Sequence, residues 1–356
     1  MQRPLMQITS RGFRDHTPGT MTHADPHGRW RSWLDKYCQK NNSFGHWLKD
    51  QTMKKRGQII GLSTLFAVMS NALSATTETK IVNISERAYG LAEVAIEMTI
   101  PDGPGPFPVI ITQHGSERDG RAFKEGEGAT DEYSKRLIEK AVERGFAVIA
   151  LDAFYKKNLT AGDKTKFPSA EIYAGYLRDG IGTDQRLDSK NIFYTGFSYG
   201  GRSALSTLYR PDVVRWRALV AAEPDCNSFP APPRVAIPPI LIMKGGESHY
   251  PPVACENLKK FYAKANMQID WQLFPKSNHY FSHNGKIVNG LAFNGCSENP
   301  VVVYGRDKFT RVDGTAITRE EIGKCFTRRA GSGKSREDLN EAVDTAISFF
   351  TQHLVK

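Results

Sequence analysis

The segment Gly196-Phe197-Ser198-Tyr199-Gly200-Gly201 constrains this chain more than any other part of it. It follows the apolar, β-branched run Asn191 to Thr195 and precedes a helix-like stretch, Ser203 to Tyr209, so a strand has to turn sharply into a helix around one serine. Glycine at 196 and 200 removes the side chains that would collide with the strand and helix packed around such a turn. Ser198 then projects at a helix N-terminus, where free N–H groups and the helix dipole favour a developing negative charge. A serine in that setting reads as a nucleophile.

The rest of the chain supplies the frame that such a turn requires. Lys80 to Ile84, Ala92 to Ile100 and Val109 to Thr112 read as three opening strands. Phe146 to Leu151, Asn191 to Thr195, Ala218 to Ala222, Pro239 to Met243 and Ile269 to Phe274 follow as five more. Helices are expected at Asp131 to Arg144, opened by Thr130 and Asp131 and stopped at Gly145, and at Ser203 to Tyr209, Ala254 to Ala265 and Arg336 to Leu354. Strand then helix, repeated, means a mostly parallel sheet covered on both faces, with eight strands. Pro230 to Pro239 reads as a Pro-rich loop, and there is no internal repeat or low-complexity tract.

Net charge is +10, which invites a nucleic-acid or anionic-membrane reading. The excess is local. Up to Ala75 there are 11 Lys and Arg against 4 Asp and Glu, leaving 37 against 34 for residues 76–356. The globular part is nearly neutral, so no nucleic-acid partner is expected. The basic part contains Met53-Lys54-Lys55-Arg56, an apolar run from Gln58 to Met69, and Ser70-Asn71-Ala72-Leu73-Ser74-Ala75. Charged start, short greasy centre and small-residue exit are the parts of a secretory signal peptide over 53–75, with cleavage expected near Ala72 to Ala75. The run is short and interrupted by Gly61, Ser63 and Thr64, so no stable membrane anchor is expected after cleavage. Residues 1–52 hold three of the five Trp and four of the nine His without periodicity, and read as a start assigned too far upstream or as a non-structural extension.

Beyond Cys38 the cysteines are Cys226, Cys255, Cys296 and Cys325, an even set that suits disulfides in a secreted or periplasmic protein and allows three pairings. The order of elements favours Cys226 with Cys255 and Cys296 with Cys325; four separate buried thiols are the alternative. No C-x-x-C pair is present, so a zinc site is not expected.

A serine hydroxyl needs a base, and the base needs an orienting carboxylate. His279, just past the strand Ile269 to Phe274, is the expected base, with His283 as its rival and His249 too near the acid loop to serve. Glu247, the carboxylate in Lys244-Gly245-Gly246-Glu247-Ser248-His249, is the expected acid, and Asp225 after the preceding strand is the substitute. The oxyanion donors are expected to be the Tyr199 amide together with Gly115 or Ser116 in Gln113-His114-Gly115-Ser116. His114 reads as structural, and Glu117, Arg118 and Asp119 as a loop tip near the substrate. This chemistry calls for no cofactor and no metal.

Gln113-His114-Gly115, Leu151-Asp152-Ala153-Phe154, Asp188-Ser189-Lys190-Asn191-Ile192 leading into the serine turn, the loop around Glu247 and Pro251, and Pro275 to Phe281 together resemble the dienelactone hydrolase family. The resemblance covers about residues 90–282 and implies an α/β-hydrolase fold, a Ser-acid-His order and hydrolysis of a small-molecule ester or lactone. Three features depart from it: Ser198 stands where founding members carry cysteine, Glu247 where Asp is usual, and Lys244 where the acid loop usually has its leading glycine. Ester hydrolysis is therefore a safer expectation than lactone specificity.

A further departure is the insertion of about fifty residues at 283–335, bracketed by Cys296 and Cys325, which is expected to lie over the mouth of the site and shape access. Its Gly331-Ser332-Gly333-Lys334-Ser335 fails as a phosphate loop because Arg328 stands where the pattern needs glycine. A prolyl-oligopeptidase-like peptidase and a catalytically silent binding protein are the alternative functions. Oligomeric state is not legible.

Overall fold

In the computed structural model, residues 74–124, 128–281, 287–293, 295–305, 308–332 and 337–356 are described. The leader up to Leu73, the rival base His283 and the segment Gly333 to Ser335 lie outside them.

Strands β1 (Ala75–Glu86) and β2 (Gly90–Pro101) form an antiparallel pair in register over their whole length. The turn between them is closed by the Glu86 carboxylate, which accepts from the amides of Ala88 and Tyr89 at 2.9 and 3.0 Å. Then come β3 (Phe107–Gln113), α1 (Glu132–Val142), β4 (Ala147–Asp152), α2 (Ala170–Gly180), β5 (Leu187–Phe197), α3 (Tyr199–Ser206), β6 (Ala218–Ala222), the short β7 (Ser228–Pro230), β8 (Ile240–Gly245), α4 (Pro252–Ala263) and β9 (Asp270–Phe274). The main sheet has the order β1-β2-β4-β3-β5-β6-β8-β9. Strand β2 runs antiparallel to both neighbours, and every pairing from β4 to β9 is parallel. This is the α/β-hydrolase fold.

Two apolar layers hold it together, and the period-2 pleat assigns residues between them. Val109, Ile111, Leu219 and Ile242 face one layer with Tyr173, Leu177, Leu205 and Leu258. Ile110, Val220 and Met243 face the other with Leu137, Ile138, Val343 and Phe350. Strands β4 and β6 are buried at every position, which is why they read as continuous apolar runs rather than alternating ones. Each of the eight expected strands falls on one strand of this sheet.

Helix α1 starts where Asp131 caps it, accepting from the Ser134 amide at 2.8 Å, and the chain leaves it through Gly145 at φ +80°. Helix α3 begins at Tyr199, earlier than the expected Ser203, because the helix springs directly from the serine turn; its last turn tightens to a 3₁₀ form over Thr207–Tyr209. Helix α2 was not expected. It contains Gly175 and ends at Gly180, so its propensity is weak, and it is held by burial of Tyr173, Ala174 and Leu177.

Beyond β9 come β10 (Ile287–Phe293), β11 (Val301–Val303), β12 (Phe309–Arg311), α5 (Arg319–Gly323), β13 (Phe326–Ser332) and the closing helix α6 (Leu339–Gln352). Strands β10 and β13 pair antiparallel, whereas β11 joins β12 on one side and runs parallel to β7 on the other. The insertion is thus sewn to the body through β7, at the start of the segment read from sequence as a Pro-rich loop. Disulfides link Cys226 to Cys255, between the end of β6 and α4, and Cys296 to Cys325 within the insertion. None of the described helices is long and apolar enough to cross a membrane.

Candidate active site

Ser198 sits between β5 and α3 with φ +54° and ψ −108°, a conformation that a non-glycine residue holds at a cost of about 1–3 kcal/mol. The flanking glycines are steric requirements. A Cβ on Gly200 would lie 2.1 Å from the Gln113 carbonyl oxygen, and one on Gly196 would lie 2.5 Å from the Gly200 carbonyl carbon. The Ser198 amide donates to the Ala222 carbonyl at 2.8 Å, tying the turn to the tip of β6.

His279, on the loop after β9, brings its Nε2 to 3.0 Å from Ser198 Oγ. Its Nδ1 lies 2.9 Å from Oε2 of Glu223, the first residue after β6. The imidazole is buried and packs against Phe197 at 5.1 Å between ring centroids, and His249 approaches edge-on at 4.5 Å. Burial lowers the His279 pKa below its ordinary value, against the upward pull of Glu223, so the ring is neutral and able to accept a proton at neutral pH.

The carboxylate that meets the histidine is therefore Glu223 and neither of the two expected acids. Glu247 is exposed on the loop after β8. There Gly245 and Gly246 cross against the β9 loop backbone, since a Cβ on either would come within 2.3 Å of the carbonyl oxygens of Asn278 and Pro275 respectively. The chain then turns outward before it reaches Glu247, whose amide donates to the Ser277 carbonyl. Asp225 lies near the right strand tip but turns to Arg202, which donates to its Oδ2 at 2.9 Å. The sequence did contain a signal for Glu223: a carboxylate placed directly after a wholly apolar strand and before Pro224.

Glu223 is fully buried, with φ +54°. Its Oε2 also accepts from Lys244 Nζ at 2.6 Å and Ser248 Oγ at 2.8 Å, and its Oε1 from the Gly245 amide. Burial alone would raise its pKa. The Lys244 ammonium and the His279 contact outweigh burial, and the net shift is downward, so the group is ionised.

Of the expected oxyanion donors the structure separates one from the rest. The Gly115 amide is spent on Asp131 Oδ2 at 2.5 Å, so Gly115 is corrected as a donor. Among the described residues, the amides of Ser116 and Tyr199 have no hydrogen-bond partner, and both residues border the cleft beside Ser198. His114 is structural as expected: fully buried, with Nδ1 on the Gly115 carbonyl at 2.6 Å and Nε2 accepting from the Ala153 amide at 3.1 Å. Arg118 pairs with Asp152 at 2.8 Å, and Glu117 accepts from the Tyr280 hydroxyl at 2.9 Å.

Two hollows of about 490 and 540 Å³ both open onto Ser198. The first carries the Arg202–Asp225 pair and Glu171, whose pKa burial pushes up to about 7; the second carries Glu117, Asp119 and His249. Phe326, the first residue of β13, borders both, so the insertion contributes to the wall above the serine. Among the described residues, no group of three or more His, Cys, Asp or Glu is placed to hold a metal ion.

No family model and no curated protein matches the chain. Similar solved structures include a dienelactone hydrolase-like promiscuous phosphotriesterase from metagenomic libraries, 13% identical, covering 57% of this chain and 84% of that one with TM-score 0.41. A thermophilic esterase from Thermogutta terrifontis is 14% identical over 57% of this chain and 83% of its own, TM-score 0.43. Porphyromonas gingivalis dipeptidyl peptidase 4 is 14% identical over 58% of this chain but 33% of its own, TM-score 0.42.

Proposed function

We propose that this protein is an exported serine hydrolase that cleaves a carboxylic ester through an acyl-enzyme intermediate. The observation that carries the proposal is the unbroken contact from Ser198 Oγ through His279 to Glu223, at 3.0 and 2.9 Å, on a strained turn facing open cleft.

In this reading His279 Nε2 takes the Ser198 proton as Oγ bonds to the ester carbonyl carbon. The carbonyl π electrons move onto oxygen, and the amides of Ser116 and Tyr199 receive the resulting oxyanion. Glu223 stabilises the imidazolium. Collapse of the adduct breaks the bond to the alcohol, which leaves with the proton from Nε2. Water then attacks the acyl-enzyme by the same route and releases the acid. The apolar rings around the serine, Phe167, Tyr199, Tyr250 and Phe326, suit an acyl or alcohol group of modest size.

Export rests on the leader-like segment 53–75 together with two disulfides in the folded part. N-terminal sequencing of the mature protein tests it, and a mature chain retaining Trp30 overturns it. Activity is tested with short-chain nitrophenyl esters and a fluorophosphonate probe on wild type and Ser198→Ala, with peptide substrates in parallel. Turnover and labelling that vanish in the variant are expected. Turnover of peptides alone moves the assignment to a peptidase, and absence of both turnover and labelling in the wild type makes the scaffold a binding protein.

A further inference from the structure

Glu223 is served by more donors than orienting a histidine requires, and one of them is a buried cation. Lys244 is fully buried, as is Glu223. Its ammonium lies 2.6 Å from Oε2, the same oxygen that faces His279 Nδ1. It also donates to the Pro224 carbonyl at 3.0 Å and to Ser248 Oγ at 3.4 Å, and lies 5.5 Å from the centre of the Tyr250 ring. Backbone geometry keeps it there: Lys244, the next-to-last residue of β8, is in register with Leu273 of β9, and the glycine pair that follows packs backbone to backbone against the histidine loop.

A lysine withdrawn wholly from water loses its hydration, which its contacts must offset. A neutral donor such as Ser248 alone could orient the carboxylate. The ammonium adds charge. With one unit positive and one negative 2.6 Å apart, the ammonium offsets part of the field of the carboxylate at the imidazole. The other polar and titratable groups facing His279 are Glu117, His249, Tyr250 and Tyr280, from the loops after β3, β8 and β9.

Resting on the proposed function of this site, we propose that Lys244 is a positioning residue of the reaction: it fixes Glu223 toward His279 and offsets part of its charge. Two consequences have the same sign. Without the ammonium, an uncompensated carboxylate stabilises the protonated imidazole, and Glu223 itself takes up a proton more readily. Both move the loss of activity on acidification to higher pH.

The test is the full pH profile of kcat and kcat/KM on a nitrophenyl ester for wild type, Lys244→Met and Ser248→Ala. In Lys244→Met the acid limb is expected to rise by about one pH unit and kcat at neutral pH to fall about tenfold, with KM within about twofold. Ser248→Ala, which removes a neutral donor, is expected to leave the limb within about 0.3 unit. Combining Lys244→Met with Glu223→Gln is expected to cost less than the product of the single losses, because the lysine acts through the glutamate. Lys244→Gln carries the same test if the methionine variant does not fold. A folded, fluorophosphonate-labelled lysine variant whose acid limb has not moved overturns the inference while leaving the serine mechanism intact. Failure of the wild type to label overturns the mechanism itself.

Discussion

The two disulfides each join cysteines 29 residues apart, yet they belong to different kinds of structure. Cys226 and Cys255 lie in a large apolar layer beneath the main sheet, beside Leu258, Tyr262 and Phe229. Cys296 and Cys325 make a cluster of their own, with Ile322 half-buried against it. Loop-closure entropy depends on loop length, so at equal length it treats the two bridges alike, at on the order of 3–4 kcal/mol each. What differs is the surrounding core. The body is a structure that a disulfide reinforces; the insertion is held by its strand pairings and by β11 on β7, and among the described residues its disulfide sits in a small apolar cluster apart from the main layers. The same contrast runs through the proposed site: Ser198, Glu223 and His279 all lie on segments that follow strands of the body, and the insertion contributes a wall.

The sharpest way to break that comparison is to attack the body at its turn. Gly200→Ala puts a methyl 2.1 Å from a backbone oxygen of β3, which neither strand can yield without parting. Loss of soluble folded protein is expected. A folded, active Gly200→Ala would show the turn to be far softer than its contacts indicate.

Next in size come the chemical groups. Ser198→Ala is expected to reduce kcat by about 10⁴-fold or more, and Glu223→Gln by about 10²- to 10⁴-fold, whereas Glu247→Ala should stay within about twofold of wild type. The acid limb supplies a further check. The His279 pKa lies below its ordinary value, so kcat/KM should begin to fall at a lower pH than an ordinary histidine would dictate. Stability has the same sign: between the lowered native pKa and the ordinary unfolded one, the unfolded chain binds more protons at His279, so stability rises with pH there. Glu223, also lowered, contributes stability that is present above its unfolded pKa and is lost as pH falls through its native one. Denaturant titrations across that range measure both. An Ala at 247 as damaging as a Gln at 223 would return the acid role to the loop after β8.

These outcomes bear on why the fold was legible and the acid was not. Strands such as Ala147 to Asp152 are buried on both faces and so announce themselves as unbroken apolar runs. The serine turn is legible because steric exclusion leaves glycine as the residue for Gly196 and Gly200. Choosing the acid depends instead on which of three carboxylates, Glu223, Asp225 or Glu247, points at one nitrogen, and that is set by a backbone crossing at Gly245 and Gly246 between segments about thirty residues apart in the chain. Helix α2 stayed hidden for a related reason, since tertiary burial rather than propensity holds it. The short strands of the insertion are three residues long at β11 and β12, too brief for a period to show.

The disulfides themselves come third. Replacing Cys226 and Cys255 with serine should lower the melting temperature by about 6–10 °C, as a loss of roughly 3 kcal/mol implies for a domain of this size. Replacing Cys296 and Cys325 should move the main calorimetric transition by less than half as much, because the layers of the body do not depend on them. Its effect should appear instead as protease sensitivity confined to the insertion. Equal shifts for the two pairs would mean that body and insertion melt as one unit, with β11 on β7 as the coupling.

The smallest effect is the one that asks whether the insertion matters to chemistry at all. Phe326 is 42% exposed, borders both hollows that open on Ser198, and follows Cys325 directly in the chain. Its ring contributes area to the cleft. Phe326→Ala should therefore leave kcat on a nitrophenyl acetate within about twofold. KM for a longer acyl ester should change severalfold, upward if the ring packs on the acyl chain and downward if it obstructs it. An Ala at 326 with unchanged KM across a series of acyl lengths would reduce the insertion to a surface elaboration. In that case substrate choice would fall to residues of the body alone, Tyr250 and Lys164 first among them, since both border the two hollows.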